Sequence, residues 1–309
     1  MALDSERSFT LASDSADIAA EYDRSGYVIF RDLISADLIY KVRSALTALN
    51  DSKLSLYYSQ SVHRWLRPRI SPGGFLMDSM ENPSWHVHLP SLRRATMNII
   101  YHSYVTDALH LISGHSKFCS WQDMLFDRSV GTIDHQDSWY LDTNPEGHLI
   151  AGWFSLEDIH EDSGPFFVYP GSHRLPRVSE DEYPNHEEFI GKIRALLKEG
   201  NFPKRGMTLP MGSVLFWHPS LIHGADLPAS EQHSRKSLTS HYYPLGYLRK
   251  DSINLDHDAK MMKPTANERM FRKGVPEATF VVKGHLKFLR DKMLGRNQPI
   301  RPMGRDAYR

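Results

Sequence analysis

Cysteine is almost absent from this sequence, because Cys119 is the only one in 309 residues. One thiol excludes an intrachain disulfide and any site built from several cysteine ligands. Chains without disulfides are typical of reducing compartments, so we expect a cytoplasmic protein. The N-terminal segment MALDSERSFT agrees with this expectation, since it lacks the apolar core of a secretion signal.

Net charge and long apolar runs are lacking too. The 37 lysines and arginines balance 37 aspartates and glutamates, so the formal net charge is zero. Nothing in that balance indicates a nucleic acid or another polyanion as a partner. No apolar run approaches the length of a membrane span. We therefore expect a small-molecule partner, with no nucleic acid and no membrane, and a protein that is a monomer or a homodimer.

Histidine, in contrast, is abundant, with 17 residues. The imidazole is a common metal ligand and proton carrier. The abundance of histidine therefore favours a metal site or a site of proton transfer.

The first third of the chain predicts helices around one short strand. SADIAAEYDRSG has helical spacing and stops at Gly26, and YVIFRDL then alternates like a strand. The segment SADLIYKVRSALTAL predicts a second helix with Ser35 as its N-cap. One longer helix is predicted from Ser91 to Gly114. Between these helices, residues 57–90 are rich in proline, glycine, serine and aromatics, which indicates a long irregular loop or lid.

From about Phe118 the pattern changes to short apolar runs separated by glycine and proline turns. Examples are FCSWQDMLF, HLIAGWFSL, GPFFVYP, GSVLFWH and SLTSHYYP. This texture predicts a mainly β fold with flanking helices and a double-sheet, jelly-roll core. We expect a single domain over residues 1–309, with a helical part at 1–117, the β core at about 118–250 and a helical extension at 251–309.

The segment TIDHQDSWYLDT carries a His-x-Asp pair, His135 and Asp137. Residues two apart point to the same side of a strand, so both side chains can reach one ion. The pair alone is a weak signal, because His160 and Asp162 have the same spacing in a segment with the composition of a turn. His186 and Glu188 are similar, but there the acidic neighbours suit the start of a helix.

His223 and Arg235, much farther along the chain, make the interpretation of the first pair as a metal site more specific. His223, in GSVLFWHPSLIHGADLP, ends a short apolar run and supplies a third ligand. Two histidines and one carboxylate form the usual ligand set of non-haem iron(II) oxygenases. Arg235 follows about a dozen residues later and can hold a carboxylate through two hydrogen bonds.

The order of these residues and their surroundings resemble the phytanoyl-CoA dioxygenase family of iron(II)/2-oxoglutarate oxygenases. The stretches that carry the resemblance are HQDSWYLDT, AGWFSLEDIHEDSGPFFVYPGSHR, GSVLFWHPSLIHGA and RKSLTSHYYP, together with the N-terminal SGYVIFRDLISADLIYKVRSAL. The similarity covers about residues 15–245. It implies a cupin-like double-stranded β-helix, iron(II) held by His135, Asp137 and His223, and 2-oxoglutarate held at one end by Arg235.

The resemblance also implies further cosubstrate contacts. Trp153 stands where the family places a tryptophan near 2-oxoglutarate, although the residue suits core packing equally well. Ser155 and Gln122 are expected to face the cosubstrate. Family members often carry a serine two residues after the distal histidine. Here that position is Ala225, so another hydroxyl, from Ser155, Ser237 or Thr239, is expected to replace it.

The expected reaction hydroxylates an unactivated C–H bond of a metabolite or natural-product intermediate. Iron(II), 2-oxoglutarate and O2 take part, succinate and CO2 are released, and ascorbate supports activity. Desaturation, cyclisation or C–N cleavage by the same oxidant remains open, as does a catalytically silent binding protein. Because Asp137 occupies the position that halogenating relatives leave to a small residue, halogenation is disfavoured. Substrate contacts are expected from four residues: Trp139, Tyr140, Trp85 and His86.

Overall fold

The computed structural model describes residues 7–52, 54–250, 267–269 and 277–295. Its strands are β1 (Ser8–Phe9), β2 (Tyr27–Phe30), β3 (Tyr57–Ser59), β4 (Arg64–Leu66), β5 (Met80–Glu81), β6 (Phe118–Phe126), β7 (Thr132–His135), β8 (Thr143–Asn144), β9 (Ile150–Ser155), β10 (Phe166–Val168), β11 (Arg205–Gly206), β12 (Val214–Trp217), β13 (His223–Ala225), β14 (Ser237–Pro244), β15 (Leu248–Arg249) and β16 (Asn267–Arg269). Its helices are α1 (Ser15–Ser25), α2 (Ala36–Asn50), α3 (Pro90–Ile100), α4 (Ser103–Ser113), α5 (His186–Gly200) and α6 (Glu277–Met293).

Two sheets form the β core. The larger sheet has the order β1-β2-β12-β9-β14-β6-β5-β3-β4, with β16 added beside β6. The smaller sheet has the order β11-β10-β13-β7, and β8 pairs separately with β15. The non-sequential order of neighbours in both sheets agrees with the predicted double-stranded β-helix.

Strand β9 shows why the two layers hold together. Ala151 and Trp153 pack in an apolar cluster with Phe166 of the smaller sheet. Their neighbours Ile150 and Phe154 belong to the cluster that includes the buried faces of the first four helices. Because side chains alternate across a strand, these two clusters bury both faces of β9. The sequence of β9 is therefore a nearly continuous apolar run. Each fully buried large side chain contributes about 1.5–3 kcal/mol.

The helix predicted to stop at Gly26 does so. Gly26 has a φ of 82°, a left-handed conformation that a residue without Cβ adopts at no steric cost, and its amide donates to the Tyr22 carbonyl at 2.8 Å. Ser35 is the N-cap of α2 by position, although its hydroxyl makes no capping hydrogen bond.

The single long helix predicted from Ser91 to Gly114 is two helices. Helix α3 starts at Pro90, a favourable first residue because it lacks an amide hydrogen. The break falls at Tyr101 and His102, where the His102 side chain accepts from the Tyr104 amide and caps α4. Helical spacing continues through the break, so apolar periodicity alone did not reveal this local cap.

The stretch 57–90 is also less irregular than its composition predicts. Strands β3 and β4 form an antiparallel pair, and β5 links this pair to β6, so these three strands form one edge of the larger sheet. Helix α6 packs over this edge, with Phe280 against Tyr58, Trp65 and Trp85. Most of the predicted C-terminal extension lies outside the described residues. No helix in the described ranges combines the length and apolar character needed to cross a membrane.

Candidate metal centre

His135 and His223 meet because β7 and β13 are antiparallel neighbours that place the two residues opposite each other. Asp137 lies just past the end of β7, at the start of a short 3-10 helix, Asp137–Trp139. Its Oδ1 is 3.3 Å from Nε2 of His135 and 3.4 Å from Nε2 of His223. The strand thus supplies one ligand of the His-x-Asp pair, and the turn that follows supplies the other.

Hydrogen bonds of Gln136 and Ser138 hold this turn in place. The Gln136 side chain donates to the Ser220 carbonyl at 2.9 Å and accepts from the Val178 amide at 3.1 Å. The Ser138 amide donates to the Pro219 carbonyl at 3.0 Å. The segment that carries His135 and Asp137 is therefore tied directly to the turn that precedes His223.

Both imidazoles are oriented in the same way. Nδ1 of His135 is 2.8 Å from the Ile133 carbonyl, and Nδ1 of His223 is 2.9 Å from the Leu221 carbonyl. A carbonyl oxygen only accepts, so each Nδ1 carries the proton and each Nε2 presents a lone pair, which is the tautomer that a metal ligand needs. Burial lowers the pKa of His223, and this outweighs the opposite effect of Asp137.

Asp137 is ionised in spite of being buried. Burial by itself would raise the pKa of its carboxyl, but the imidazoles of His223, His135 and His241 hold it well below the ordinary value when a proton on these rings faces the carboxylate. The site therefore combines one carboxylate with two imidazole lone pairs.

The three side chains fit a single divalent ion. Each offers one ligand atom, and these atoms all lie within 4.8 Å of one another. Nitrogen and oxygen ligands about 2.1 Å from one ion lie about 3 Å apart when they are adjacent, close to the separations between Asp137 and the two histidines. Two imidazoles and a carboxylate suit iron(II) and leave positions open for other ligands.

A second group of similar composition, His160, Asp162 and His233, is less suitable. The rings of His160 and His233 are stacked, with centroids 3.7 Å apart and planes 5° from parallel. An ion bound by both imidazoles would lie in both ring planes, which such stacking prevents. His160 and Asp162 are also exposed.

The candidate metal ligands line a cavity of about 330 Å³ between the two sheets. Six other residues named in the sequence analysis line it as well: Gln122, Trp153, Arg235, Tyr140, Thr239 and Ala225. Strand β14 pairs with both β9 and β6, and Thr239 lies opposite Trp153 and Met124. All three of these side chains belong to the cavity wall.

Arg235 is the most unusual residue of this wall. It is 2% exposed and packs over the Phe126 ring at 5.0 Å. In the described part of the chain its Nε has no hydrogen-bond partner, and neither does Nε1 of Trp153. Burial lowers the pKa of Arg235 to about 10. A buried cation without a carboxylate partner is costly, so this end of the cavity is suited to an anion.

Ser155 does not take part in the cavity, contrary to expectation. Its hydroxyl lies 2.6 Å from the Pro210 carbonyl and 3.0 Å from the Ser213 carbonyl, so its single proton is already used. Ser237 faces the Arg235 carbonyl at 3.4 Å. Of the three hydroxyls expected as possible replacements at Ala225, only Thr239 lines the cavity together with Ala225.

Three of the four expected substrate contacts lie elsewhere. Trp139 stacks on Phe189 at 4.7 Å and donates to the Tyr183 carbonyl. Trp85 packs on Phe280, and His86 is fully buried between the Tyr58 amide and the Asn82 carbonyl. The sequence placed these residues near the ligands or in a lid, but their tertiary partners turn them away. The stretch 57–90 instead contributes Gln60, Ser61 and His63 to the cavity wall.

Two functional candidates were not predicted from the sequence. His241 and Trp217 line the cavity and contact Asp137, with their ring nitrogens 3.5 Å and 2.9 Å from Oδ2. His241 has the same strand parity as Arg235 and Thr239, so alternation along SLTSHYYP was a usable signal. No local signal identified Trp217, because its contact depends on how β12 packs beside the 3-10 helix.

Comparison with solved structures bears out the predicted fold. The non-heme alpha ketoglutarate dependent carbocyclase SnoK from nogalamycin biosynthesis aligns with a TM-score of 0.59 and 16% identity, over 86% of this chain and 97% of that one. EctD from S. alaskensis, solved with 2-oxoglutarate and 5-hydroxyectoine, aligns with a TM-score of 0.56 and 18% identity, over 78% and 80%. At such low identity, these similarities establish the fold alone.

Curated sequences and a family model give the closer relationship. The peroxisomal phytanoyl-CoA dioxygenase of Rattus norvegicus is 29% identical over 110 residues, which are 35% of this chain and 32% of the relative. The matched segment thus spans about a third of that relative. The family model described as phytanoyl-CoA dioxygenase (PhyH) matches residues 22–237, which is well over half of the chain. The family and its enzyme class agree with those that the sequence predicts. The chain therefore belongs to the phytanoyl-CoA dioxygenase (PhyH) family.

Proposed function

We propose that this protein is an iron(II)- and 2-oxoglutarate-dependent dioxygenase that hydroxylates a C–H bond of a small organic molecule. One oxygen atom of O2 enters the substrate as a hydroxyl group. The other enters 2-oxoglutarate, which leaves as succinate and CO2. The observation that carries the proposal is that one cavity contains both the His135, Asp137 and His223 group and the buried cation of Arg235, whose Nε has no hydrogen-bond partner among the described residues.

The residues of the site have separate roles. His135, Asp137 and His223 would hold the iron, which when bound supplies the redox chemistry that activates O2. The carbonyls of Ile133 and Leu221 keep the two imidazoles in the tautomer that offers Nε2. Asp137 and His223 are 5% and 3% exposed, and this burial limits the access of water to reactive species.

Arg235 would bind the carboxylate of 2-oxoglutarate that is remote from the metal. A guanidinium binds a carboxylate through two parallel hydrogen bonds, and desolvation makes that pair stronger. Nε1 of Trp153 offers a further donor in the same wall. Thr239 lies opposite Trp153 and provides the hydroxyl that Ala225 lacks.

The remaining wall favours an uncharged substrate of moderate size. Among the described residues that line the cavity, Arg235 is the one arginine or lysine, and the cosubstrate would neutralise it. Other wall positions are apolar, including Val130, Ile133, Leu141 and Leu227, with polar groups at Gln60 and Ser61. Apart from Arg235, the described part of the wall offers no arginine or lysine to the phosphates of an acyl-CoA.

The basic segment His63 to Arg69 is an alternative site for those phosphates. Its Arg69 is already paired with Asp78 at 2.8 Å. We therefore propose a metabolite or natural-product intermediate as the substrate.

The EctD structure, which contains 2-oxoglutarate together with 5-hydroxyectoine, supports hydroxylation as the outcome. The carbocyclase named above supports ring formation as a second outcome.

The experiment is a metabolite-library screen with iron(II), ascorbate, 2-oxoglutarate and O2, scored by succinate and followed by mass analysis of the product. We expect substrate-dependent succinate together with a product heavier by one oxygen atom. A product lighter by two hydrogen atoms would instead indicate ring formation or desaturation. Absence of 2-oxoglutarate binding and of turnover with every compound would contradict the proposal.

A further inference from the structure

The two carboxylate oxygens of Asp137 face different partners. Oδ1 lies 3.3 Å from Nε2 of His135 and 3.4 Å from Nε2 of His223. Oδ2 accepts a hydrogen bond from Nε1 of Trp217 at 2.9 Å and lies 3.5 Å from Nε2 of His241. The first oxygen is thus directed to the other candidate ligands, while the second is held by two ring nitrogens.

Both ring systems are fixed in place. Trp217 is 1% exposed and packs against Phe166 and His223, with ring centroids 5.0 Å away in each case. His241 is 2% exposed, and its Nδ1 lies 3.1 Å from the Gln122 carbonyl. Neither side chain can swing away from Oδ2 without disturbing the packed interior between the sheets.

How Asp137 binds decides how many positions an ion in this site would have free. A carboxylate can bind a metal through one oxygen or through both. Three protein ligands that each use one atom leave three positions of a six-coordinate ion open. The proposed reaction needs all three, two for the keto acid of 2-oxoglutarate and one for O2. If Oδ2 also bound, one of them would be lost.

We propose that Trp217 and His241 are positioning residues that hold Oδ2 of Asp137 away from the metal, so that this carboxylate binds iron through Oδ1 alone. The inference rests on the proposed iron site. The indole N–H of Trp217 can only donate a hydrogen bond, and its acceptor is Oδ2 of Asp137. The hydrogen bond from Trp217 and the contact with His241 also fix the orientation of the carboxylate, which favours metal binding.

The test measures metal binding without 2-oxoglutarate or substrate. Iron(II) affinity is determined by calorimetry under anaerobic conditions, and cobalt(II) is bound separately because its visible absorption reports coordination number. Trp217→Phe removes the N–H and keeps an aromatic ring. His241→Leu removes the second contact, whereas His241→Gln retains an N–H donor. Trp139→Phe is the matched control, since its Nε1 donates to Tyr183 outside the cavity.

We expect Trp217→Phe and His241→Leu to weaken iron(II) binding about 10-fold or more and to alter the cobalt(II) spectrum. His241→Gln should lie closer to the native protein than His241→Leu, and Trp139→Phe should match the native protein. A purely structural role would change stability but not the cobalt(II) spectrum. Thermal unfolding without metal monitors folding, and if His241→Leu does not fold, Trp217→Phe and His241→Gln decide.

The inference is overturned if Trp217→Phe and His241→Leu both keep the native iron(II) affinity and the native cobalt(II) spectrum. In that case the proposed function stands, because the native protein still binds iron. If the native protein itself binds no iron(II), the proposed function fails and this inference fails with it.

Discussion

His135 and His223 occupy opposite positions on the neighbouring strands β7 and β13, and their ring centroids are 4.3 Å apart. The register of one strand pair therefore fixes the distance between two of the three candidate metal ligands. Asp137 joins them from the turn after β7, with Trp217 and His241 on its outer oxygen. A change in the register between β7 and β13 should therefore alter metal affinity before other properties of the protein.

Gly224, next to His223, provides a test of that register. A Cβ at this position would lie 2.6 Å from the Thr132 carbonyl oxygen on β7 and 2.5 Å from Cζ of Phe167. Gly224→Ala should therefore push the strands apart, lower the free energy of unfolding by about 1–3 kcal/mol and weaken iron(II) binding. Urea unfolding and calorimetry measure the two effects.

The matched control is Gly191→Ala within helix α5, where a Cβ would meet no atom within 4 Å. It should stabilise the protein by up to about 1 kcal/mol and leave iron(II) affinity unchanged. Native stability and native iron(II) affinity in Gly224→Ala would show that the β7–β13 pair tolerates separation, so that its register does not control metal binding.

Arg235 should determine the affinity for 2-oxoglutarate. Arg235→Gln removes the buried cation, and charged hydrogen bonds contribute about 1.5–3 kcal/mol each, so we expect binding to weaken about 100-fold. Calorimetry with 2-oxoglutarate and the iron-loaded protein measures this. Arg174→Gln serves as the control, because that exposed arginine pairs with Asp23 and neither residue lines the cavity. Equal 2-oxoglutarate affinity in Arg235→Gln and the native protein would exclude Arg235 as the anion partner.

Stability should fall in mild acid because of His86. Burial lowers the pKa of His86 to about 3, and its Nε2 accepts from the Tyr58 amide, which only a neutral ring can do. Between the ordinary value of 6.5 and about 3, the unfolded chain takes up a proton that the folded protein does not. The free energy of unfolding therefore decreases as pH falls through this range, by about 2 kcal/mol between pH 7 and pH 5 for this residue.

Urea unfolding of the native protein and of His86→Gln at both pH values measures that contribution. The difference in unfolding free energy between the two pH values should be smaller in His86→Gln. The exposed His110 provides a control, and His110→Gln should keep the native pH dependence. An identical pH dependence in all three proteins would contradict the assignment to His86.

The sequence predicted those parts of the site that depend on chain order and strand parity. His135, Asp137, His223 and Arg235 follow a specific order, and the structure brings all four to one cavity. Short apolar runs of strand length between glycine and proline turns likewise predicted the double-sheet core. These features could be predicted because a strand places side chains with a fixed period, whatever its neighbours are.

The errors occurred where tertiary contacts override local pattern. Ser155 has the parity of Trp153, but backbone carbonyls of a neighbouring loop take its proton. Trp85 and His86 have a loop-like sequence but are buried beneath helix α6. In the sequence, Trp217 has the pattern of an apolar core residue. Only the packing of β12 beside Asp137 gives its indole N–H a hydrogen-bond acceptor.

The proposed function depends above all on one cavity binding iron(II) and 2-oxoglutarate together. The most direct measurement is anaerobic calorimetric titration of 2-oxoglutarate into the native protein with and without iron(II), and into His135→Ala with iron(II). We predict strong binding by the iron-loaded native protein and much weaker binding in the other two cases. Binding of 2-oxoglutarate that is equally strong without iron(II), or that persists fully in His135→Ala, would contradict this joint site.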